Sequence, residues 1–171
     1  MPRHRPVKHT GQFTIRPMMV PADMEQVCRL AERFFYESSF RGLTINLDAY
    51  RKTIMDYYRY PSVKSLVAVT DQGDIVGYIH IYCQQDYTVE LIGEMYQFYV
   101  APEYRGTKVS RSLIEGAVAQ YKMWGCAVAY CECAPGMEDE KHLQTFSNLW
   151  VKYGYKPVGR AFMLDLGGHN G

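Results

Sequence analysis

Short apolar runs, several of them with alternating character, are spread along the chain and separated by turn residues. Such runs predict β-strands. Six of them are found, at 13–16, 65–70, 75–83, 91–100, 127–133 and 160–166. The second and third are joined by Asp71-Gln72-Gly73-Asp74, a turn sequence that predicts an antiparallel hairpin.

Four stretches between these runs carry apolar residues at helical spacing. They lie at 23–35, 47–58, 109–124 and 142–152. The third is the clearest, because its apolar positions recur every three or four residues until Gly125 ends it. Strands and helices in this order predict an α/β fold with a mixed sheet.

Composition narrows the classes of partner. The chain has 171 residues without repeats or linkers, so we expect a flexible arm at 1–12 and a single domain over 13–171. Its formal charge is +1, whereas nucleic-acid binders usually carry a basic excess. No apolar run approaches the ~20 residues of a membrane helix, and the arm has no apolar stretch like that of a signal peptide. We therefore expect neither a nucleic acid nor a membrane as a partner.

Five cysteines, an odd number, predict free and mostly buried thiols in a reducing cytoplasm. Cys131 and Cys133 would share one face of a strand. A metal site needs further ligands, and no second Cys/His pair stands out. We therefore predict no metal, with a metal or redox role of this pair as the alternative.

The segment from Glu94 to Trp124 has the pattern of a strand, a glycine-containing loop and a helix. Free backbone N–H groups and the positive end of a helix dipole make such a turn a seat for a phosphate. Arg105, Lys108 and Arg111 add three cations around it. The alternative is an ordinary surface turn with solvated charges.

Three segments follow a pattern that occurs together in one protein family. They are Tyr-Val-Ala-Pro-Glu-Tyr-Arg-Gly at 99–106, Leu-Trp-Val-Lys-Tyr-Gly-Tyr-Lys-Pro-Val at 149–158, and the opening Thr-Ile-Arg-Pro at 14–17 with Ala22-Asp23. Together they resemble the GNAT superfamily of acyl-CoA-dependent N-acyltransferases over about 13–166. The resemblance implies a mixed, mostly antiparallel sheet of six to seven strands, about four helices, and a splay between central strands.

The same resemblance implies acetyl-CoA as cosubstrate. The family pattern (Arg/Gln)-x-x-Gly-x-(Gly/Ala) begins here at Arg105, so that Lys108 occupies a glycine position and either crowds the phosphate or contacts it. Ser110 occupies the Gly/Ala position. The residues implied to bind acetyl-CoA are Tyr99, Val100, Arg105, Gly106, Thr107, Lys108, Val109, Ser110 and Arg111. The N–H of the strand around Val100 would contact the oxyanion.

Glu94 is the predicted general base. It lies eleven residues before Arg105, where some family members carry a catalytic Glu. We expect the apolar run around it to raise the pKa of its carboxyl, which suits proton abstraction from an amine directly or through water. His80 is the competing base, and a structural role is the alternative for each.

Tyr153 is the predicted general acid. Trp150 stands where the family often has a Tyr that protonates the thiolate, and an indole N–H does not give up its proton there. Tyr153 follows three residues later, while Tyr130 and water are the alternatives.

The resulting prediction is a cytoplasmic N-acyltransferase that moves an acyl group, foremost acetyl, from acyl-CoA to a primary amine by direct attack. Loop 36–44 mixes Tyr36, Glu37, Phe40 and Arg41, which suits a small amine with a polar handle. A protein amine is the other acceptor, and a homodimer is left open. The alternatives are a GNAT-fold module that binds CoA or a partner without turnover, and an interaction protein that uses its tyrosine-rich surface.

Overall fold

The computed structural model describes residues 12–38, 40–85, 87–131 and 140–158, with the backbone alone at 140–143 and 146. Five strands and four α-helices lie within these residues. In chain order they are β1 (Phe13–Pro17), α1 (Met24–Glu37), α2 (Leu47–Tyr57), β2 (Val63–Thr70), β3 (Ile75–Gln84), β4 (Ile92–Val100), α3 (Lys108–Trp124), β5 (Val128–Cys131) and α4 (Glu140–Lys152). A short 3-10 turn, Pro102–Tyr104, joins β4 to α3.

The strands form one sheet in the order β1-β2-β3-β4-β5. The first three neighbouring pairs are antiparallel, and β4 pairs with β5 in parallel. The predicted mixed, mostly antiparallel α/β sheet is therefore confirmed. The predicted count of six to seven strands is not met, since the described residues form five. The sixth predicted strand, at 160–166, lies outside the described residues. The same holds for nearly all of the predicted arm and for the end of the predicted strand at 127–133. The splay between central strands stays a prediction.

The described residues fall into two compact units. The first contains the described residues up to Ala31 together with Asn46–Cys131, and so the whole sheet. The second contains Glu32–Ile45 and the described residues after Cys131, including α4. The turn predicted to bind acetyl-CoA and the predicted base Glu94 are therefore in the first unit, and Tyr153 is in the second.

Helix α3 packs against one face of the sheet and forms the core of the first unit. Side chains that are at most 1% exposed and belong to this core are Ala68, Ile79, Ile81, Val109 and Leu113. Burial of a Val, Leu or Ile side chain contributes about 1.5–3 kcal/mol. The first turn of α3 is thereby fixed beside the end of β4.

Strand β4 contains a β-bulge at Tyr96. Met95 and Gln97 have successive partners on β3, which leaves Tyr96 as the extra residue. Met95 and Phe98 both pack on the α3 core. The Tyr96 ring meets Tyr57 of α2 edge-on, with 5.8 Å between centroids. The bulge thus changes which β4 positions face α3.

An ion pair joins the end of β1 to the start of α1. The guanidinium nitrogens of Arg16 lie 2.5 and 3.0 Å from the carboxylate oxygens of Asp23, and the Met19 N–H donates to the same carboxylate at 2.7 Å. The hydrogen bonds from Arg16 hold the pKa of Asp23 below its ordinary value. This buried carboxylate is therefore charged and fully paired at neutral pH.

Candidate active site

Polar side chains of β3 and β4 share the sheet face opposite α3. The register pairs Tyr82 with Glu94 and His80 with Gln97. Tyr50 of α2 reaches the same face, where its hydroxyl lies 3.0 Å from His80 Nε2 and donates to Gln97 Oε1 at 2.9 Å. Since Tyr82 and His80 are two residues apart on one strand, Glu94 and Gln97 stand about 7 Å apart along the sheet.

The Glu94 carboxylate is half-buried and accepts hydrogen bonds from the Tyr82 hydroxyl and the Gln84 amide. The prediction that Glu94 has apolar surroundings is therefore wrong. Side chains alternate across a strand, so the apolar Met95 points to the α3 core while Glu94 faces polar neighbours. What the structure places here is an oriented carboxylate.

The N–H and C=O groups of Val100, the last residue of β4, point away from β3. The Ala101 N–H donates to the Val76 carbonyl at 2.9 Å, so the alternation of an antiparallel ladder turns the N–H and C=O of Val100 to the other side. The Val100 carbonyl accepts from Arg105 Nε at 2.9 Å. The Arg105 guanidinium also lies 5.2 Å from the centre of the Tyr99 ring.

The turn before α3 has the features of an anion site. The Thr107 hydroxyl caps the helix by accepting from the Val109 N–H at 3.3 Å, and it donates to the Tyr104 carbonyl at 2.6 Å. Gly106 has φ +75°, a conformation that glycine adopts readily. The first helical turn carries no acidic residue, and Lys108 begins it with an exposed side chain.

The other predicted residues of this turn differ in exposure. Val109 is fully buried in the core, so its side chain anchors the helix. Ser110 is half-buried, and the exposed Arg111 pairs with Glu115 through a 2.8 Å contact. The structure thus brings the nine predicted acetyl-CoA residues together as one strand end, turn and helix start.

His80 is buried, with 2% of its surface exposed. Its Nδ1 lies 2.6 Å from Ser65 Oγ. Burial lowers the pKa of His80 to about 3, so the imidazole is neutral near pH 7. A general base needs a pKa near the working pH, and this environment supports the structural alternative for His80.

A sequence model of the acetyltransferase (GNAT) family matches residues 24–144, more than two thirds of the chain. The chain belongs to the GNAT acetyltransferase family. No curated protein sequence matches it.

Solved structures similar to this GNAT chain show the same fold at low sequence identity. An acetyltransferase of Trypanosoma brucei has 20% identity and a TM-score of 0.66, covering 91% of this chain and 100% of that one. The aminoglycoside N-acetyltransferase AAC(6')-Iy in complex with CoA has 15% identity, a TM-score of 0.71 and coverage of 93% and 97%. Glucosamine-6-phosphate N-acetyltransferase from Arabidopsis thaliana has 12% identity, a TM-score of 0.70 and coverage of 91% and 99%.

The predicted acid lies in the second unit. Helix α4 ends at Lys152, as the sequence predicts, so Tyr153 directly follows the helix. The Tyr153 N–H donates to the Trp150 carbonyl at 2.9 Å. Trp150 is buried, and its ring meets Tyr155 edge-on at 5.0 Å. In the first unit the alternative acid, Tyr130, stands opposite Glu94 in the β4–β5 register.

The predicted acceptor loop is also part of the second unit. The rings of Phe35 and Phe40 stack with 6.5 Å between centroids, and the Ser38 hydroxyl donates to the Phe35 carbonyl at 2.7 Å. Tyr36 is 55% exposed. The loop therefore presents aromatic surface at its start.

Sequence reasoning missed Tyr50, Gln97 and Gln84. One signal was present, because Tyr78, His80 and Tyr82 alternate on β3 and so share a face. Nothing in the sequence indicated which helix covers that face or where β4 bulges.

Within the described ranges, no group of three or more His, Cys, Asp or Glu side chains could hold a metal ion, and Cys133 lies outside them. In the same part of the chain, no helix is long and apolar enough to cross a membrane.

Proposed function

We propose that this protein is an N-acetyltransferase that uses acetyl-CoA to acetylate a primary amine. The observation that carries the proposal is the turn before α3. It combines a left-handed Gly106, a helix capped by Thr107, and a first turn with cations and no acidic residue. Helix N-termini of this kind bind phosphate groups.

The same residues fit the charge of CoA. Backbone N–H groups of Lys108 and Ser110, at the start of α3, would hold the pyrophosphate, with Lys108 and Arg111 adding charge. Arg105 supports the turn by fixing the Val100 carbonyl. Acetyl-CoA supplies the thioester whose acetyl group is transferred.

In the proposed reaction the amine nitrogen bonds to the acetyl carbon, the C–S bond breaks, and the thiolate takes up a proton. Glu94 removes the proton from the amine, directly or through water. The Val100 N–H donates to the carbonyl oxygen as negative charge develops. Tyr153 protonates the thiolate, with Tyr130 as the alternative.

A small-molecule amine is the proposed acceptor, and a protein amine is the alternative. Two neighbours in fold carry names of small-amine acetyltransferases, for an aminoglycoside and for glucosamine-6-phosphate. The free thiols of Cys28, Cys83, Cys126 and Cys131 support a reducing, cytoplasmic setting.

The second candidate function is a CoA-binding module without turnover. The observation that favours it is the buried Trp150, which stands where the family often has the Tyr that acts as general acid.

Calorimetric titration with acetyl-CoA tests the proposal first. Arg105→Ala should weaken binding by about 1–3 kcal/mol, because a charged group that holds the turn is lost. Arg59→Ala is the matched control, since this exposed arginine lies just after α2 and pairs only loosely with Asp56, at 3.7 Å. Absence of acetyl-CoA binding by the wild type would refute both candidate functions. Binding without CoA release from any of a broad panel of amines would favour the second.

A further inference from the structure

A row of hydrogen-bonded polar side chains crosses three strands on the sheet face that carries Glu94. The register places Ser65, His80 and Gln97 side by side on β2, β3 and β4. Ser65 bonds to His80 directly, and Tyr50 of α2 joins His80 to Gln97. Ser65 and His80 are each 2% exposed, so water does not compete for these hydrogen bonds.

The row has one direction of donation. Gln97 Oε1 can only accept, so the single hydroxyl proton of Tyr50 is donated to it. The Tyr50 oxygen must then accept from His80, which places the imidazole proton on Nε2. His80 Nδ1 is therefore an acceptor and Ser65 Oγ–H is its donor. The Tyr78 hydroxyl interacts with the Tyr50 oxygen as a donor, which does not alter this count because a hydroxyl oxygen accepts two hydrogen bonds.

The direction of donation decides whether the oxygen or the nitrogen of the Gln97 amide is available to bind a ligand. Its oxygen is occupied by Tyr50, while among the described residues no group accepts from its Nε2. Gln97 is half-buried and lies on the same face as Glu94. The face therefore offers two N–H donors about 7 Å along the sheet from a carboxylate.

We propose that Gln97 is a specificity-determining residue that donates a hydrogen bond to an oxygen of the acyl acceptor. The proposal rests on the proposed function, in which Glu94 removes a proton from the amine of the acceptor. Because Glu94 and Gln97 stand about 7 Å apart along the sheet and each hydrogen bond spans about 3 Å, the amine nitrogen and the oxygen can belong to one small molecule. The preferred class is thus amino alcohols, amino sugars and amino acids, ahead of plain alkyl amines and polyamines.

Tyr50 and His80 act as positioning residues in this scheme. They fix the amide of Gln97 with its N–H₂ group outward, and neither contacts the substrate. In the reverse direction the buried Ser65 hydroxyl would accept from His80 and its own proton would have no acceptor among the described residues. A buried donor left without its acceptor costs about 1–3 kcal/mol, which favours donation from Ser65 towards Gln97.

Nitrogen-15 NMR of the histidine ring tests the direction of the row without any substrate. The two neutral tautomers give different shifts for Nδ1 and Nε2, and His80→Gln assigns the signals. We expect the Nε2–H tautomer at pH 7. The Nδ1–H tautomer would overturn the proposal, because Tyr50 would then donate to His80 and Gln97 would turn its oxygen outward.

Kinetics on matched amines test the specificity. The pairs are 2-aminoethanol with propylamine, and glucosamine with cyclohexylamine, in which the first member carries oxygen atoms that the second lacks. Because the first member is also the weaker base, kcat/KM is calculated for the concentration of unprotonated amine. We expect kcat/KM to favour the oxygen-bearing member by about 10–100-fold. Gln97→Met should reduce this preference to near one through KM, and Tyr50→Phe should reduce it in part. Tyr60→Phe, at an exposed tyrosine just beyond α2, is the control and should leave it unchanged.

The outcomes separate the two proposals. An equal preference in the wild type and Gln97→Met would overturn the role of Gln97 and leave the acetyltransferase standing. Acetylation of none of the four amines, nor of a wider panel, would overturn the proposed function and the specificity role with it. The Nδ1–H tautomer alone overturns only the specificity role.

Discussion

Protonation of His80 should make folding stability depend on pH in mildly acidic solution. Burial lowers the pKa of His80 from 6.5 to about 3 in the folded protein. The unfolded chain therefore takes up this proton first, and acidification favours unfolding. Each pH unit below the unfolded pKa removes about 1.4 kcal/mol. Between pH 6.5 and pH 5 the loss from His80 is about 2 kcal/mol.

The measurement is urea unfolding of the wild type and His80→Gln between pH 8 and pH 5. We expect the free energy of unfolding of the wild type to fall by about 2 kcal/mol more than that of the variant. Asp23 does not interfere, because its lowered pKa confines its effect to pH values below its ordinary 3.8. The raised pKa values of the buried tyrosines act only at alkaline pH.

Parallel pH profiles of wild type and variant would refute this reasoning. If His80→Gln does not fold, the NMR titration of the wild-type imidazole gives the same decision. A ring that takes up a proton between pH 7 and pH 5 without unfolding would show that His80 is not held neutral by its burial.

Three further outcomes are expected. Gly93→Ala should lower the free energy of unfolding by about 1–3 kcal/mol in urea, because the new Cβ would stand 2.3 Å from the Tyr121 ring; Gly42→Ala, with no atom within 4 Å, should not. Gly106→Ala should destabilise by about 1–2 kcal/mol in thermal unfolding, since φ +75° is strained for alanine; no change would mean that the turn relaxes. Glu94→Gln should reduce turnover by about 10²–10⁴ with partial recovery at high pH, and an unchanged rate would assign the base to water.

The sequence predicted much of the fold because its elements have local signals. The α3 stripe and its terminal Gly125, which is left-handed at φ +77°, place the helix within one residue of its observed start and at its observed end. The hairpin of β2 and β3 follows from the turn at 71–74 in the same way. These features depend on neighbours in sequence.

The candidate site was predictable only where it too is local. The turn from Arg105 to Arg111 is continuous in sequence, so a motif could mark it. The surroundings of Glu94 could not be predicted in this way, because they depend on Tyr82 and Gln84 of another strand. Tyr50 is separated from Gln97 by 47 positions, and no pattern in the sequence pairs them.

The bulge in β4 has a consequence for which single-residue deletion the strand can tolerate. With Tyr96 removed, Glu94, Gln97 and Tyr99 would alternate regularly with Met95, Phe98 and Val100. The in-frame loss of one codon would therefore give an ordinary ladder with the same core. The core on α3 therefore does not depend on Tyr96, whose exposed ring packs on Tyr57 instead.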